Sequence, residues 1–304
     1  MLLYKGGLLR AISSNRIPKC DNFQFSRHTT YGLGGKAAVA YLPKNVYQAK
    51  LAYDLLKSND IPYKVVGNGS NLLVSDKGYE GGVICTKHLK GIVRISQDKI
   101  LCLAGTTVAQ VLSYCKKNGL GGLEYMYGIP ATMGGAAYMN AGVCGFSLGD
   151  NIVNVKVYDG KTHVLPREIC NFAYRRSTMR DINALILSII AKVEAVPQEE
   201  TERRINFFKE RRKHLPKGRS CGCVFKNPDN YSAGYLIEQA GLKGFTVGGA
   251  TVSREHASFI INNNGSADDI RHVIEIVKRR VFDKFGILLE EEVVYIGDFN
   301  EING

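Results

Sequence analysis

Tryptophan is absent from these 304 residues, and no stretch interleaves aromatic with basic side chains. A chain built to stack on bases or track a phosphate backbone would show such a stripe or a recognisable binding motif. No nucleic-acid partner is therefore expected, although 40 basic against 28 acidic side chains give a formal charge of +12. That charge favours anionic small partners such as nucleotides, or reflects dispersed, solvated lysines. Repeats and low-complexity tracts are also lacking. The apolar patches within residues 1–12 are broken by Lys5 and Arg10, so neither a signal peptide nor membrane insertion is expected there. Cysteine is not scarce, but paired spacing is: the eight cysteines lie singly except Cys221 and Cys223. No second ligand pair stands at zinc-like spacing, so no metal is expected. A chain of this length carries ample core for two or three domains and needs no disulfide framework. Reduced thiols in a cytoplasm follow. At 45% hydrophobic and 22% charged, the composition is that of a soluble globular protein.

Two glycine-containing stretches stand out against this background. The first is Val-Val-Gly-Asn-Gly-Ser-Asn-Leu-Leu-Val-Ser-Asp, residues 65–76. Apolar or β-branched runs at 63–66 and 72–74 flank a polar turn. Gly67 and Gly69 can take positive φ and leave no Cβ in a ligand's way. Ser70 and Asn71 add a hydroxyl and an amide. Successive backbone N–H groups in such a turn can cradle an anion, here a cofactor pyrophosphate; the alternative is a plain hairpin. The second stretch, residues 121–142, is rich in Gly and Ala around Pro130. It reads as backbone packed against something flat, or as a tight Gly/Ala interior.

The remaining pattern is mixed. Gly32-x-Gly34-x-x-Ala37 matches a dinucleotide fingerprint formally, but a strand pattern follows it where a helix is needed. Asn45 caps a helix with Val46, Ala49, Tyr53 and Leu56 inward. Strands are expected at 78–84 and 99–104. Thr107 caps a helix burying Val108, Val111, Leu112 and Cys115, stopped by Asn118-Gly119. Residues 151–165 and 185–193 alternate as strands. A charged helix over 199–215, anchored by Ile205, Phe207 and Phe208, bridges domains. Its Arg211-Arg212-Lys213 cluster is either a solvated face or a diphosphate contact. Ser266 and Asp269 form a capping box before a helix with Ile270, Val273, Ile274, Val277 and Val281 inward, ended by Gly286. Mixed β and α with short links gives an α+β fold.

With the two stretches in this order, about 55 residues apart, the chain resembles the UDP-N-acetylenolpyruvoylglucosamine reductase family. The likeness runs from His28 to Gly297. It includes Thr29-Thr30-x-x-x-Gly34-Gly35, the Gly-x-Gly-Ser-Asn-Leu-Leu turn, Gly128-Ile129-Pro130, Met139-Asn-Ala-Gly142 and Tyr174-Arg-Arg-Ser177. Phe225-Lys-Asn-Pro228 and Glu292-Val293-x-x-x-Gly297 complete it. The resemblance implies a two-subdomain, FAD-binding PCMH-type (vanillyl-alcohol-oxidase-like) cofactor fold, residues 1–86 and 87–198, and a C-terminal α+β substrate domain, 199–304. It implies FAD contacts from Gly67, Asn68, Gly69, Ser70 and Asn71. Further contacts follow from Gly128, Ile129, Pro130, Thr132, Gly134 and Gly135, and from Asn140, Ala141 and Gly142. NADPH would be the co-substrate and UDP-N-acetylglucosamine enolpyruvate the substrate, reduced to UDP-N-acetylmuramate for peptidoglycan by a cytoplasmic monomer.

The resemblance also distributes roles. Arg175 becomes the catalytic arginine, since a fixed guanidinium pairs bidentately with a carboxylate; by residue type alone, Arg175 and Arg176 are both surface charges. Cys223 stands where the family has its proton-donating serine. A thiol can donate, with a reference pKa of ~8.5; the alternative is a buried, inert thiol. Glu292 takes the catalytic glutamate position, with Glu290 and Glu291 suggesting a bland acidic turn. Tyr174, Asn227 and His256 fall at substrate-binding positions, His256 being equally readable as a satisfied structural histidine. The chain departs from the pattern at Ala131 for Gly, Cys144 for Tyr, Cys223 for Ser and Val294 for Arg. Residues 227–249 leave no room for the extra tyrosine loop of some members. A rival reading is an FAD-linked oxidase on the same fold; no covalent tether is marked, and acid denaturation would release flavin from the reductase only.

Overall fold

The computed structural model describes residues 17–300, so the reading of residues 1–12 lies outside it. In chain order the elements begin with strands β1 (Lys19–Cys20) and β2 (Ala37–Tyr41), helix α1 (Val46–Ser58), and strands β3 (Tyr63–Val66), β4 (Leu72–Val74), β5 (Tyr79–Cys85), β6 (Ile92–Arg94) and β7 (Lys99–Leu103). Helix α2 (Val108–Lys117), β8 (Leu120–Gly121), helix α3 (Met133–Tyr138), β9 (Gly142–Val143), β10 (Phe146–Ser147) and the single turn α4 (Leu148–Asn151) follow. Then come β11 (Ile152–Tyr158), β12 (Thr162–Pro166), β13 (Leu185–Lys192), β14 (Glu194–Ala195) and helix α5 (Gln198–Arg211). The chain ends with helix α6 (Ala233–Gln239), strands β15 (Thr246–Val247), β16 (Ala250–Val252) and β17 (Ile260–Asn262), helix α7 (Ala267–Phe285) and β18 (Val294–Ile296).

The chain forms two units, each assembled from three separate segments. One holds the residues up to Asp21, Val39–Asn68 and Gly81–Arg212; the other holds Asn22–Ala38, Gly69–Glu80 and the residues from Lys213 on. Each has its own apolar core. The first unit is built on an antiparallel sheet of order β12-β11-β13-β7-β6. Its central strand β13 does not alternate: Leu185 to Ile189 are all buried, because helices α1 and α3 pack against it. A strand covered on both faces carries a continuous apolar run, which corrects the expected alternation. A second sheet has the order β1-β2-β5-β3, with β3 parallel to β5. In the second unit, antiparallel β15-β16-β17 packs on α7, and β18 lies parallel to β4.

The local signals read from sequence set the helix ends. Asn45 Oδ1 accepts from Gln48 N at 2.9 Å. Thr107 and Gln110 satisfy each other's backbone N–H groups, and α2 buries Val108, Val111, Leu112 and Cys115. Ser266 and Asp269 do the same for α7, whose buried stripe is Ile270, Val273, Ile274, Val277 and Val281; Gly286 ends it at φ 67°. The dinucleotide fingerprint fails as expected, since β2 follows it directly. Helix α5 differs from its expected form. It lies wholly in the first unit, Thr201 is its buried residue, and Phe207 is 54% exposed rather than an anchor. Among the described residues no helix is long and apolar enough to cross a membrane.

Candidate active site

The turn after β3 is not a hairpin. Its flanking strands pair with different partners, β3 with β5 and β4 with β18, so the turn is free to serve another purpose. Its first half belongs to the first unit. A Cβ on Gly67 would lie 2.3 Å from Thr132 Oγ1, and Asn68 Nδ2 donates to Pro130 O at 2.7 Å. The two glycine-containing stretches therefore meet here. The second half belongs to the other unit. Gly69 has φ 64°, and a Cβ there would lie 2.1 Å from His28 O; Thr30 N donates to Gly69 O at 3.3 Å. Thr30 Oγ1 is buried beside this turn with no hydrogen-bond partner. A buried hydroxyl without a partner costs free energy unless a ligand supplies one, so this half of the turn fits a polar group such as a pyrophosphate.

The second stretch holds a helix that its sequence does not announce. Thr132 caps α3, accepting from Gly135 N at 3.3 Å, and Met133, Gly134, Ala136 and Ala137 are buried. The neighbouring glycines differ. A Cβ on Gly134 would sit 2.9 Å from Ala104 Cβ, whereas one on Gly135 would meet only Thr132 Oγ1 at 3.4 Å. A tightly packed glycine, Gly134, and one with an open backbone face, Gly135, thus stand side by side. Ile129 is half-buried and Pro130 exposed, and Ala131, where the family has Gly, is buried with its Cβ accommodated. Gly128, at φ 76°, is exposed, and Arg212 Nη2 donates to its carbonyl at 3.2 Å. Arg211 instead lies over the Phe207 ring. Gly142 is required locally, because a Cβ there would lie 2.0 Å from Phe146 O in the β9–β10 hairpin. Cys144 is exposed at that hairpin's corner at φ 55°. Asn140 is buried and also left-handed, at φ 44°, and Ala141 O accepts from Leu148 N at 2.9 Å.

The structure separates the two arginines that sequence leaves equivalent. Ala173 and Arg176 exchange backbone hydrogen bonds at 3.0 Å each way, making Tyr174 and Arg175 the corner of a tight turn. Arg175 sits at φ 54°, which costs a non-glycine residue about 1–2 kcal/mol. Such strain is characteristic of functional positions. Arg180 Nη1 donates to Arg175 O at 2.9 Å, and the Arg175 guanidinium lies over the Tyr174 ring. Arg176 is exposed and pairs with Asp181.

In the second unit the segment carrying Cys223 is held between two others. Val224 N donates to Ser258 O at 2.8 Å, and Val224 O accepts from Glu292 N at 2.7 Å. Cys223 faces Phe259 across one pairing and Phe225 faces Glu291 across the other. Cys223 and Glu292 thus lie on adjoining segments of this unit. Cys221 is buried, its thiol donates to Tyr31 Oη at 3.4 Å, and burial, with the nearby Glu292 charge adding to it, pushes it up to about 12. The acidic-turn alternative suits Glu290, which is exposed, but not Glu291, which is largely buried and pairs with Lys278 at 2.7 Å. Asn227 Oδ1 accepts from Ala233 N at the start of α6. His256 is half-buried, and burial, outweighing a backbone hydrogen bond, lowers its pKa and keeps the ring neutral; its Nδ1 accepts from Ser258 N at 3.3 Å. Arg175 and Tyr174 thus belong to the first unit, and Cys223, Asn227, His256 and Glu292 to the second. Sequence reading missed Thr30 as a polar contact and the Lys278–Glu291 pair, for which only the 13-residue separation of two opposite charges was on display.

Residues 37–165 match the FAD binding domain family, and residues 213–296 match the family "UDP-N-acetylenolpyruvoylglucosamine reductase, C-terminal domain". The UDP-N-acetylenolpyruvoylglucosamine reductase of Moorella thermoacetica is 39% identical over 91% of this chain and 93% of its own length. That of Prochlorococcus marinus is 37% identical over 93% and 99%. The crystal structure of the Thermus caldophilus reductase, 35% identical, superposes with a TM-score of 0.76 over 93% of this chain and 99% of that one. The expected FAD-binding PCMH-type fold with a C-terminal α+β domain is borne out. Full-length similarity, two matching domains and a shared fold make this chain a member of the UDP-N-acetylenolpyruvoylglucosamine reductase family of FAD-dependent oxidoreductases.

Proposed function

We propose that the chain reduces the enolpyruvyl ether of UDP-N-acetylglucosamine to UDP-N-acetylmuramate for peptidoglycan, with NADPH as co-substrate and FAD as its resident group. The observation that carries this reading is the match of nine-tenths of the chain to reductases of that name. FAD, when bound, supplies the two-electron chemistry linking the two substrates. Gly67 to Asn71 and Gly128 to Gly142 would hold it. Arg175 and Glu292 bind and polarise the enolpyruvyl carboxylate end and stabilise charge as it develops there, which is where binding accelerates a reaction. The strained turn under Arg175 supports its role. Cys223 gives its thiol proton to C2 of the enolpyruvyl group. Tyr174, Asn227 and neutral His256 meet the nucleotide sugar. Residues 1–86 and 87–198 form the cofactor subdomains and 199–304 the substrate domain. The protein works as a cytoplasmic monomer; eight free thiols suit that setting.

Anaerobic stopped-flow absorbance of the flavin, with each substrate added separately, tests this reading. NADPH should bleach the oxidised flavin and the enolpyruvyl substrate should restore it. In Cys223→Ala the first reaction should stay near normal while the second falls by about 10² to 10⁴, the contribution of a positioned acid. Cys223→Ser should recover much of the loss. Reoxidation at the wild-type rate in Cys223→Ala would remove Cys223 from the mechanism, and no bleaching by NADPH would remove the co-substrate.

A further inference from the structure

Two asparagines that the sequence motifs give to the cofactor direct their amides at protein backbone. Asn71 ends the first turn. Its Nδ2 donates to Glu292 O at 2.8 Å, and its own carbonyl accepts from Val294 N at 2.9 Å, so it brackets residues 292–294. Asn140 lies two residues before the end of the second stretch. It is 4% exposed; its Nδ2 donates to Ala173 O at 2.8 Å and its Oδ1 accepts from Gly149 N at 2.8 Å. Ala173 opens the turn whose left-handed corner is Arg175. In each unit, then, an asparagine from a cofactor motif grips backbone at or next to a residue assigned to the substrate carboxylate.

We infer that Asn71 and Asn140 are positioning residues, Asn71 for Glu292 and Asn140 for Arg175. The inference rests on the reading of Glu292 and Arg175 as the carboxylate clamp. The chemistry suits the residue type: an amide donates to a carbonyl, whereas a carboxylate of the same shape has no donor and repels it. Glu292 is then fixed at both ends of its peptide, its N–H by Val224 O and its C=O by Asn71 Nδ2. Arg175 holds its left-handed backbone because the base of its turn is tethered. Misplacing a reacting or binding group by about 1 Å costs on the order of 10²-fold in rate, so loss of either tether should be felt in the step that uses the clamp.

Asn71→Asp and Asn140→Asp holoenzymes test this. Aspartate keeps the shape and, at Asn140, the tolerance of positive φ. In the flavin-loaded fraction, reoxidation by the enolpyruvyl substrate should fall on the order of 10²-fold more than reduction by NADPH does. Combined with Glu292→Gln, Asn71→Asp should cost little more, since both act through one group; Asn140→Asp should likewise add little to Arg175→Lys. In flavin-free protein, hydrogen exchange should quicken over residues 289–296 in Asn71→Asp and over 171–177 in Asn140→Asp. If Asn140→Asp does not accumulate, Asn140→Gly keeps the backbone conformation and removes the tether. Equal losses in both half-reactions, lost flavin without a selective effect, unaltered exchange, or full additivity in the double variants would overturn the inference. Wild-type reoxidation in Glu292→Gln and Arg175→Lys themselves would instead sink the clamp reading on which it rests.

Discussion

At the scale of single residues, identical letters do different work according to what faces them. Gly134 and Gly135 are neighbours, but only Gly134 is wedged against Ala104. Gly135→Ala should leave the melting temperature unchanged or slightly higher, since alanine is the better helix residue by roughly 0.5–1 kcal/mol, yet it should weaken FAD retention by filling the open face. Gly134→Ala should lower the melting temperature. Thermal denaturation of the apoprotein and flavin titration separate the two effects; parallel behaviour of both variants would count against an open cofactor face. The cysteines divide similarly. Cys144 is exposed, Cys20 and Cys223 are half-buried, and Cys221 is buried with its thiol pushed up to about 12. Iodoacetamide near pH 7.5 should therefore modify Cys144 first and then Cys20 and Cys223, leaving Cys221 intact, as peptide mapping would show. In Cys144→Ala, inactivation should persist and the enolpyruvyl substrate should protect. None of these distinctions is written in the sequence, because each depends on a neighbour brought from far along the chain. Arg175 and Arg176 separate only once one of them is seen at φ 54°.

At the scale of elements, legibility follows the range of the interaction that defines the element. Helices α2 and α7 were readable to the residue, because their caps and stripes repeat within one turn of chain. Helix α3 was not, because Gly-Gly is a poor helix former and its stability comes from packing against β7 and β13. Strand β13 was recognised but its pattern misread, since both of its faces are covered. The capping box of α7 allows a pH test. Asp269 accepts from Ser266 N at 2.8 Å and from Gly249 N at 3.3 Å. Burial raises its pKa, but these donors, the Ser266 hydroxyl and nearby His272 outweigh it, and the net shift is downward. A lowered folded-state pKa means stability that is present above the unfolded value of about 3.9 and lost as pH falls below it. Asp269→Asn should destabilise by about 1 kcal/mol at pH 7, a typical cap loss, and the deficit should shrink below about pH 4. Urea melts at pH 7 and pH 3.5 would show it; a deficit constant across that range would show that charge plays no part.

At the scale of the whole molecule, sequence resemblance divides the chain where motifs change, whereas contacts divide it where cores close. The second core takes Tyr31, Leu33 and Leu73 from early segments and the rest from residues after 220. A fragment ending at Arg212 would leave those three side chains without the partners that bury them. It should bind an apolar dye such as ANS and aggregate, and a fragment starting at Lys213 should fare no better; a monomeric, dye-silent fragment of either kind would show that its unit does not need the early segments. Neither the assembly of a core from distant pieces nor the pairing of β4 with β18 leaves a trace in local composition, which is why this level was least legible. That pairing, Leu72 to Val294 through Val74 to Ile296, also sets a timetable. At about 5–20 residues per second on the ribosome, the roughly 220 residues between the two strands take on the order of 10–45 s to synthesise. For that interval β4 is a nascent strand without its partner, and Asn71 has no Glu292 to hold. The second half of the first cofactor turn therefore stays incomplete until β18 has been made.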